Sequence, residues 1–426
     1  MRDVRMKGFS ERADVEDVQA WLAARTAPLE SEPVALLDCV GRVLAEDVSS
    51  QVDVPGFPRS AMDGYALCGE DTFGAGAYDP IPLDVVGVSL PGSPFPGRVS
   101  KGQAVRIMTG APVPEGADAV AMAEVCTEVG SKVEVREAVA PRKNVGHRGE
   151  DIRRGDAVLR ALRRLRPQDA GLIASIGRDS VSCVRRPRVR LVVTGDELLA
   201  AGSMPDPDGS QIVDSNSVVL RALVRRDGGE TLPFSILPDR PEQIRETMSA
   251  DGADVVLVSG GTSVGQEDHA PRLLAELGSL DFHGISMRPS SPTGIGRIGE
   301  CPVFLLPGNP VSCLCAYEFF AGPTVRGLGG RSRAWPHRRV RFPLGRKLVS
   351  VVGRTDYVRV ALEGDSVVPL ATAGASILSS TVRASGFVIV PRELEGMAVG
   401  ESVEVLLYDG DPGESSARPI ETGMSS

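Results

Sequence analysis

The residues best suited to chemistry in this chain are carboxylates set beside glycines. The richest stretch is 253–268, ADVVLVSGGTSVGQED. Residues 254–259 form a short β-branched run of the kind that makes a strand buried on both faces. The run ends in Gly260 and Gly261, which permit backbone torsions closed to other residues and a close approach to a ligand. Thr262, Ser263 and Gly265 extend a polar loop, Glu267 and Asp268 add carboxylates, and Pro271 suits the first turn of a helix. A strand feeding a glycine loop and then a helix N-terminus is how open α/β sheets hold anionic ligands. Taken alone, the loop fits a tight turn with no ligand equally well.

Other motifs of the same character follow the chain. Asp63 stands in SAMDGY (60–65), Thr109 in RIMTGAP (106–112), and the adjacent acids Glu150 and Asp151 in RGEDI (148–152). TGDEL (194–198) carries Asp196 and Glu197 directly after a strand-like run, and DSNS (214–217) places Asp214 where it would cap a helix. LPGNPVS (306–312) repeats the strand, glycine turn and helix start, with Pro310 and Ser312 just inside. Asp-Gly and Thr-Gly are common turn pairs, so each motif alone reads as structural. Their sum points to a site, because three strand-like runs finish in glycine-bearing polar turns, after Val193, Ser259 and Leu306. Acids at such a rim repel an anionic ligand unless they hold a divalent cation or accept from a heterocycle. Mg2+ is therefore expected, since hard oxygen ligands and substrate phosphate suit it. Four scattered histidines and no C-x-x-C pair give zinc no cluster.

The elements that must position these residues are legible in outline. Residues 14–25 read as a helix behind Asp14 as its cap, and 36–47 as a second short amphipathic segment. From 52 to about 156, short alternating runs broken by Gly and Pro read as an all-β insert. Residues 162–176 read as a helix with Pro167 in its first turn and Gly177 as its stop. Between 188 and 320, strands at 189–193, 231–237, 255–259 and 303–306 alternate with helices at 215–226, 241–250, 271–277 and 311–320. That alternation predicts a mostly parallel sheet covered by helices on both faces. Beyond residue 330 the chain is β-like again and closes in a small barrel or sandwich. Residues 411–426 read as an unstructured tail.

Composition agrees with a globular, multidomain chain: 42% apolar, 24% charged, with 48 glycines and 32 prolines favouring turns and β structure. A net charge of −9 excludes a general footprint for nucleic acid or anionic membrane. Seven dispersed cysteines read as small buried thiols in a reducing compartment. With no apolar run of membrane-spanning length, a cytoplasmic location is the expectation.

In order and spacing, SAMDGYA, RIMTGAPVPEGAD, RGEDI, TGDEL, DSN, SGGTSVGQED and LPGNPVS closely resemble the molybdopterin molybdenumtransferase family, across about residues 10–410. The family is related to the C-terminal region of gephyrin. The resemblance implies a multidomain α/β plus β fold. Its parts are an elongated N-terminal domain (10–50 with 156–187), an all-β insert (51–155), a molybdopterin-binding α/β domain (188–330) and a C-terminal β-barrel-like domain (331–410). It implies an elongated homodimer in which the α/β domain of one subunit faces the β insert of the other. The implied reaction takes adenylylated molybdopterin and, with Mg2+ and molybdate, releases AMP and inserts the metal at the dithiolene.

Carried over by motif, the pterin-nucleotide site comprises Gly260, Gly261, Ser263, Asp268, Pro307, Gly308, Asn309, Pro310 and Ser312, joined by Thr109 and Asp214. The acids for Mg2+ and catalysis are Asp63, Glu150, Asp151, Asp196, Glu197 and Asp214, with Asp196, Glu197 and Asp214 the metal set. Asp63 and Thr109 are implied to come from the partner subunit. Arg288 is the expected catalytic cation.

This chain departs from the family at two places. Where members usually carry K-P-G-K-P, it has Arg288-Pro289-Ser290-Ser291-Pro292. Arg288 keeps one charge in a group able to bind phosphate or molybdate bidentately, Ser291 removes the other, and Ser290 replaces a glycine. Pro58 and Arg59 stand where the family commonly has Asp and Asn, and Arg59 or Arg148 is a candidate to restore the missing charge. Loss of one cation near a polyanion costs ~1–3 kcal/mol of transition-state stabilisation. The alternatives to an active transferase are a weakened paralogue that binds molybdopterin as carrier or regulator, and a dimeric scaffold.

Overall fold

The computed structural model describes residues 12–261, 269–370 and 376–408. The chain packs as two compact units, Pro33–Cys183 and a second made of Met1–Glu32 with Val184–Ser426.

In Pro33–Cys183, the alternating runs build a six-stranded sheet. Its order is Ala119–Met122, Gly64–Leu67, Gln103–Ile107, Ile81–Ser89, Lys132–Val135, Cys126–Val129. Leu67, Leu83, Ala104, Ala119 and Val133 fill its core. The helix expected over 162–176 begins only at Pro167 and ends at Ser175. Arg166, before the proline, is extended, and Leu162 has φ +62°. Proline disfavours the helical region for its predecessor, so the helix cannot start earlier. The amphipathic segment at 36–47 contributes only the single turn Leu36–Asp38.

In the other unit, Arg188–Thr194, Val255–Ser259 and Cys301–Leu306 lie side by side and parallel. The edge beyond Cys301–Leu306 is antiparallel, formed by Gly294–Ile298 and Ser279–His283, which periodicity did not reveal. The expected strand at 231–237 is two fragments, Glu230–Thr231 and Ile236–Leu237, each pairing Arg188–Thr194. Pro233 stands between them and has no N–H to donate to a ladder.

Side-chain alternation splits the sheet residues between two cores. Leu191, Val193, Leu257 and Leu306 pack on one face with Val15, Val18 and Leu22 of the Val15–Ala23 helix, and with Leu220 and Val224 of Asn216–Arg226. Val192, Val256, Val258 and Leu305 pack on the other with Ile244 and Met248 of Pro241–Ser249, and with Leu273 and Leu274 of Ala270–Leu277. Helices thus cover both faces. Asp14 occupies the cap position of the first helix but makes no side-chain cap bond; it pairs with Arg392 instead.

The C-terminal strands run Ser366–Pro369, Thr355–Glu363, Gly386–Val390, Ser402–Leu407, Arg338–Pro343. Gly345 N–H then donates to Val367 O at 2.8 Å, joining the last strand's end to the first and closing a ring around Val358, Val360, Val388 and Val405. This is the expected β domain. Cys39, Cys183, Cys313 and Cys315 are buried, whereas Cys68, Cys126 and Cys301 are partly exposed; none of the seven is in a disulfide.

Candidate functional site

Parallel register decides where the motifs fall. Val193 stands opposite Ser259, and Ser259 opposite Leu306. The turns that follow, beginning at Thr194, Gly260 and Pro307, therefore leave the same edge of the sheet at the same level. Gly260 adopts φ +101°, and a Cβ there would lie 2.1 Å from Thr194 O. Only glycine lets the two turns approach so closely. Gly261, at φ +56°, accepts from Ala270 N–H at the start of the next helix.

The third turn is held from three sides. Asn216 Nδ2 donates to Gly308 O (2.8 Å) and to Ser259 Oγ (3.1 Å). Asn309 Oδ1 accepts from Ser376 Oγ at 3.0 Å, and Ser290 Oγ donates to Ser312 O at 2.5 Å. Pro310 opens the helix that follows, and Ser312 is buried in it. Asn309 holds the N-cap position without a side-chain cap bond.

The acids of this rim differ in their duties. Asp196 and Glu197 are exposed just after Thr194. Asp196 is bracketed by Asp239, which precedes the Pro241–Ser249 helix. Asp239 N–H donates to Asp196 Oδ1 (3.3 Å), Asp196 N–H returns to Asp239 Oδ2 (3.4 Å), and Thr194 Oγ1 donates to Asp239 Oδ1. The available signal was position: Asp239 follows Leu237, whose partner in the sheet is Thr194. Asp214 is buried and accepts from Ser217 N–H at 3.0 Å, so it fixes the start of the Asn216–Arg226 helix. Among the described residues no group of three or more His, Cys, Asp or Glu side chains has the geometry of a metal cluster. The carboxylates of Asp196 and Asp239 nevertheless match Mg2+ chemistry, in which one or two carboxylates share the ion with substrate phosphate and water. Ser263 and Asp268 lie outside the described residues, as does the 411–426 tail.

The departure at 288–292 joins the same rim. Arg288 belongs to the Met287–Arg288 strand, paired with Thr355–Asp356 of the C-terminal β domain. Ser290 has φ +81°, a region that favours glycine, which is why a glycine suits the family pattern here. Its hydroxyl bond to Ser312 O holds it there. Ser291 Oγ is buried and has no hydrogen-bond partner among the described residues. Nearby in the β domain, buried Arg359 donates to Ser380 Oγ at 2.6 Å, in the short helix Leu378–Val382 just after Ser376.

In the Pro33–Cys183 unit the remaining motifs form a second acidic group. Asp63 Oδ1 accepts from Thr109 N–H (2.7 Å) and Thr109 Oγ1 (2.8 Å), which hold its carboxyl below the usual range. Gly110 N–H donates to Ser60 O, so SAMDGY and RIMTGAP make one structure. Glu150 Oε1 accepts twice from Arg59, at 2.6 and 3.1 Å, while Oε2 accepts from His147 N–H at 3.0 Å. The Arg59 guanidinium first, and the His147 amide after it, keep Glu150 ionised below its ordinary pKa. Arg148 pairs with Asp53 at 2.7 Å. Both arginines considered as replacement cations are thus engaged by carboxylates of their own unit. Asp151 is exposed.

Comparison with known proteins assigns the chain. The MoeA N-terminal region (domain I and II) matches residues 13–177, the family described as a probable molybdopterin binding domain matches 190–327, and the MoeA C-terminal region (domain IV) matches 341–408. The molybdopterin molybdenumtransferase of Haemophilus influenzae is 33% identical over 390 residues, 89% of this chain and 94% of its own. The chain belongs to the molybdopterin molybdenumtransferase family. The transferase of Nostoc is 36% identical over 72% of this chain and 71% of its own. Among solved structures, a molybdopterin biosynthesis MoeA protein of Pyrococcus horikoshii superposes with TM-score 0.81 at 33% identity, over 94% of this chain and all of that one. Family membership agrees with the sequence motifs and with the multidomain α/β plus β fold. No helix among the described residues is long and apolar enough to cross a membrane.

Proposed function

We propose that this chain transfers molybdenum from molybdate into adenylylated molybdopterin with release of AMP, in a Mg2+-dependent reaction. The observation that carries the reading is the register of three strand ends, which gathers the glycine turns and the Asp196–Asp239 pair at one rim. The bond that breaks is the phosphoanhydride between AMP and molybdopterin. The nucleophile, a molybdate oxygen or water, adds to the molybdopterin-side phosphorus as AMP departs with the bonding electrons, and the Mo–S bonds form as the two dithiolene S–H protons leave with one molybdate oxygen as water. Gly260, Gly261, Pro307, Gly308, Asn309, Pro310 and Ser312, with Ser263 and Asp268, receive the pterin nucleotide, the turn amides serving the phosphates. Asp196 and Asp239 would hold Mg2+ together with substrate phosphate, and the ion would neutralise charge developing on phosphate oxygens. Asp214 acts by fixing the helix that starts beside them. Arg288 faces the anionic ligands and stabilises charge that grows in the transition state.

The protein works as a homodimer, with Asp63 and Thr109 of the partner subunit supplying the second acidic group, and Glu150 and Asp151 serving with them. Its place is the cytoplasm. The test is direct: purified protein, adenylylated molybdopterin, Mg2+ and molybdate, followed for AMP. Release that requires both ions supports the reading. Tight binding of the adenylate without AMP favours a weakened carrier instead, a second reading favoured by one observation: Ser291 places a buried hydroxyl, without a partner among the described residues, where the family pattern has a lysine.

A further inference from the structure

From the bracing of the rim we infer that Asn216 is a positioning residue: its single carboxamide sets the spacing between the Gly260–Gly261 turn and the Pro307–Pro310 turn. The inference rests on the proposed function for its kinetic consequence, but not for its structural one.

Asn216 begins the Asn216–Arg226 helix, and Asp214 fixes that start through Ser217 N–H. The side chain is buried and lies across the ends of two neighbouring strands. One N–H of its amide donates to Ser259 Oγ, on the last residue of its strand, and the other to Gly308 O, two residues beyond Leu306. Gly308 O can only accept, which fixes the amide orientation with nitrogen towards it. Both N–H groups are therefore committed to strand ends that face the ligand. The Gly260 side cannot slide to compensate for a change, because its backbone already touches Thr194 O. The Gly308 side has no such stop among the described residues, where a Cβ at Gly308 would meet nothing within 4 Å. Of the three braces on this turn, the carboxamide is thus the one that ties it to the neighbouring strand end at Ser259. Sub-ångström loosening between groups that hold two parts of one substrate lowers the population of reactive geometry.

The experiment compares the full chain with Asn216→Ala and the isosteric Asn216→Asp, by amide hydrogen exchange without ligand and by AMP release. Asn216→Ala is expected to speed exchange in peptides covering 306–312 and 256–261, leaving the six-stranded sheet of the Pro33–Cys183 unit unchanged. Its kcat/KM should fall about tenfold to a hundredfold. Asn216→Asp keeps an acceptor for Ser259 O–H but turns a carboxylate towards Gly308 O. Protonation restores that donor, so its kcat/KM relative to the unmodified chain should rise as pH falls from about 8 to about 5, whereas the Asn216→Ala ratio stays flat. Unchanged exchange at both turns in Asn216→Ala, or a pH-independent ratio in Asn216→Asp, overturns the inference. An unmodified chain that releases no AMP overturns the functional reading instead. The exchange comparison, needing no substrate, still decides the strut.

Discussion

The two acidic groups differ in how far they lean on exposed side chains. At the rim of the parallel sheet, Asp196, Asp239 and Asp214 are placed by backbone: reciprocal N–H bonds, a helix start, and turns whose close approach tolerates only glycine at 260. In the Pro33–Cys183 unit, Glu150 and Asp53 each accept one backbone N–H, from His147 and Arg154, and are otherwise held by exposed arginine side chains, while Asp63 rests on Thr109. Backbone placement cannot be altered without disturbing strands. Side-chain placement at a surface is cheap to change, since exposed ion pairs contribute little. The first group should therefore be brittle to mutation and the second tolerant in stability while sensitive in charge.

The sharpest way to break that contrast is Gly260→Ala. A Cβ 2.1 Å from Thr194 O, at φ +101°, should destabilise the α/β domain by about 3–5 kcal/mol and abolish adenylate binding. Urea unfolding and ligand titration check both, and near-normal stability would show that the turn yields.

Next in size is an acid transition set behind the rim. The helix that starts at Pro310 leads into a buried knot where Glu318 meets Arg226 and His337. Burial alone would raise the Glu318 pKa, but hydrogen bonds from His337 and Arg226 hold it at about 2. A depressed folded pKa gives stability that is complete above the ordinary glutamate value and lost as pH falls from about 4.5 through about 2. The expected loss is on the order of 3 kcal/mol. Stability measured across that window should be flatter in Glu318→Gln.

A gain is expected from Ser291→Lys, which returns a cation to the rim. Turnover should rise about fivefold to tenfold, equivalent to ~1 kcal/mol; an unchanged rate means the missing charge is supplied otherwise. The smallest effect belongs to the second group. Arg59→Asn should alter unfolding stability by less than about 1 kcal/mol, while the Glu150 pKa moves up towards its ordinary range, as an NMR titration would show. A large loss of stability there would erase the distinction between the two groups.

Much of this arrangement was written in local pattern. The Val255–Ser259 strand, the helix ending at Arg226 and the acidic and glycine motifs follow from residue type and period, because a buried parallel strand must be apolar and its turn must hold glycine. The helix start at Pro167 was missed by five residues, since a helical period says nothing about the proline that blocks its beginning. Asp239 and Asn216 were unmarked as site residues. Their partners lie 43 to 92 positions away, and pairing over such separations is set by sheet register, which no local period encodes.

The sequence alone determined which residues could hold a phosphate or a cation, and the family to which their order belongs, because those depend on side-chain chemistry and spacing. Tertiary structure decided which of them share an edge and which are already engaged. Arg59 and Arg148 were candidate free cations on paper and are carboxylate partners in the fold, because a charge takes the nearest opposite charge, and nearness is a property of three dimensions.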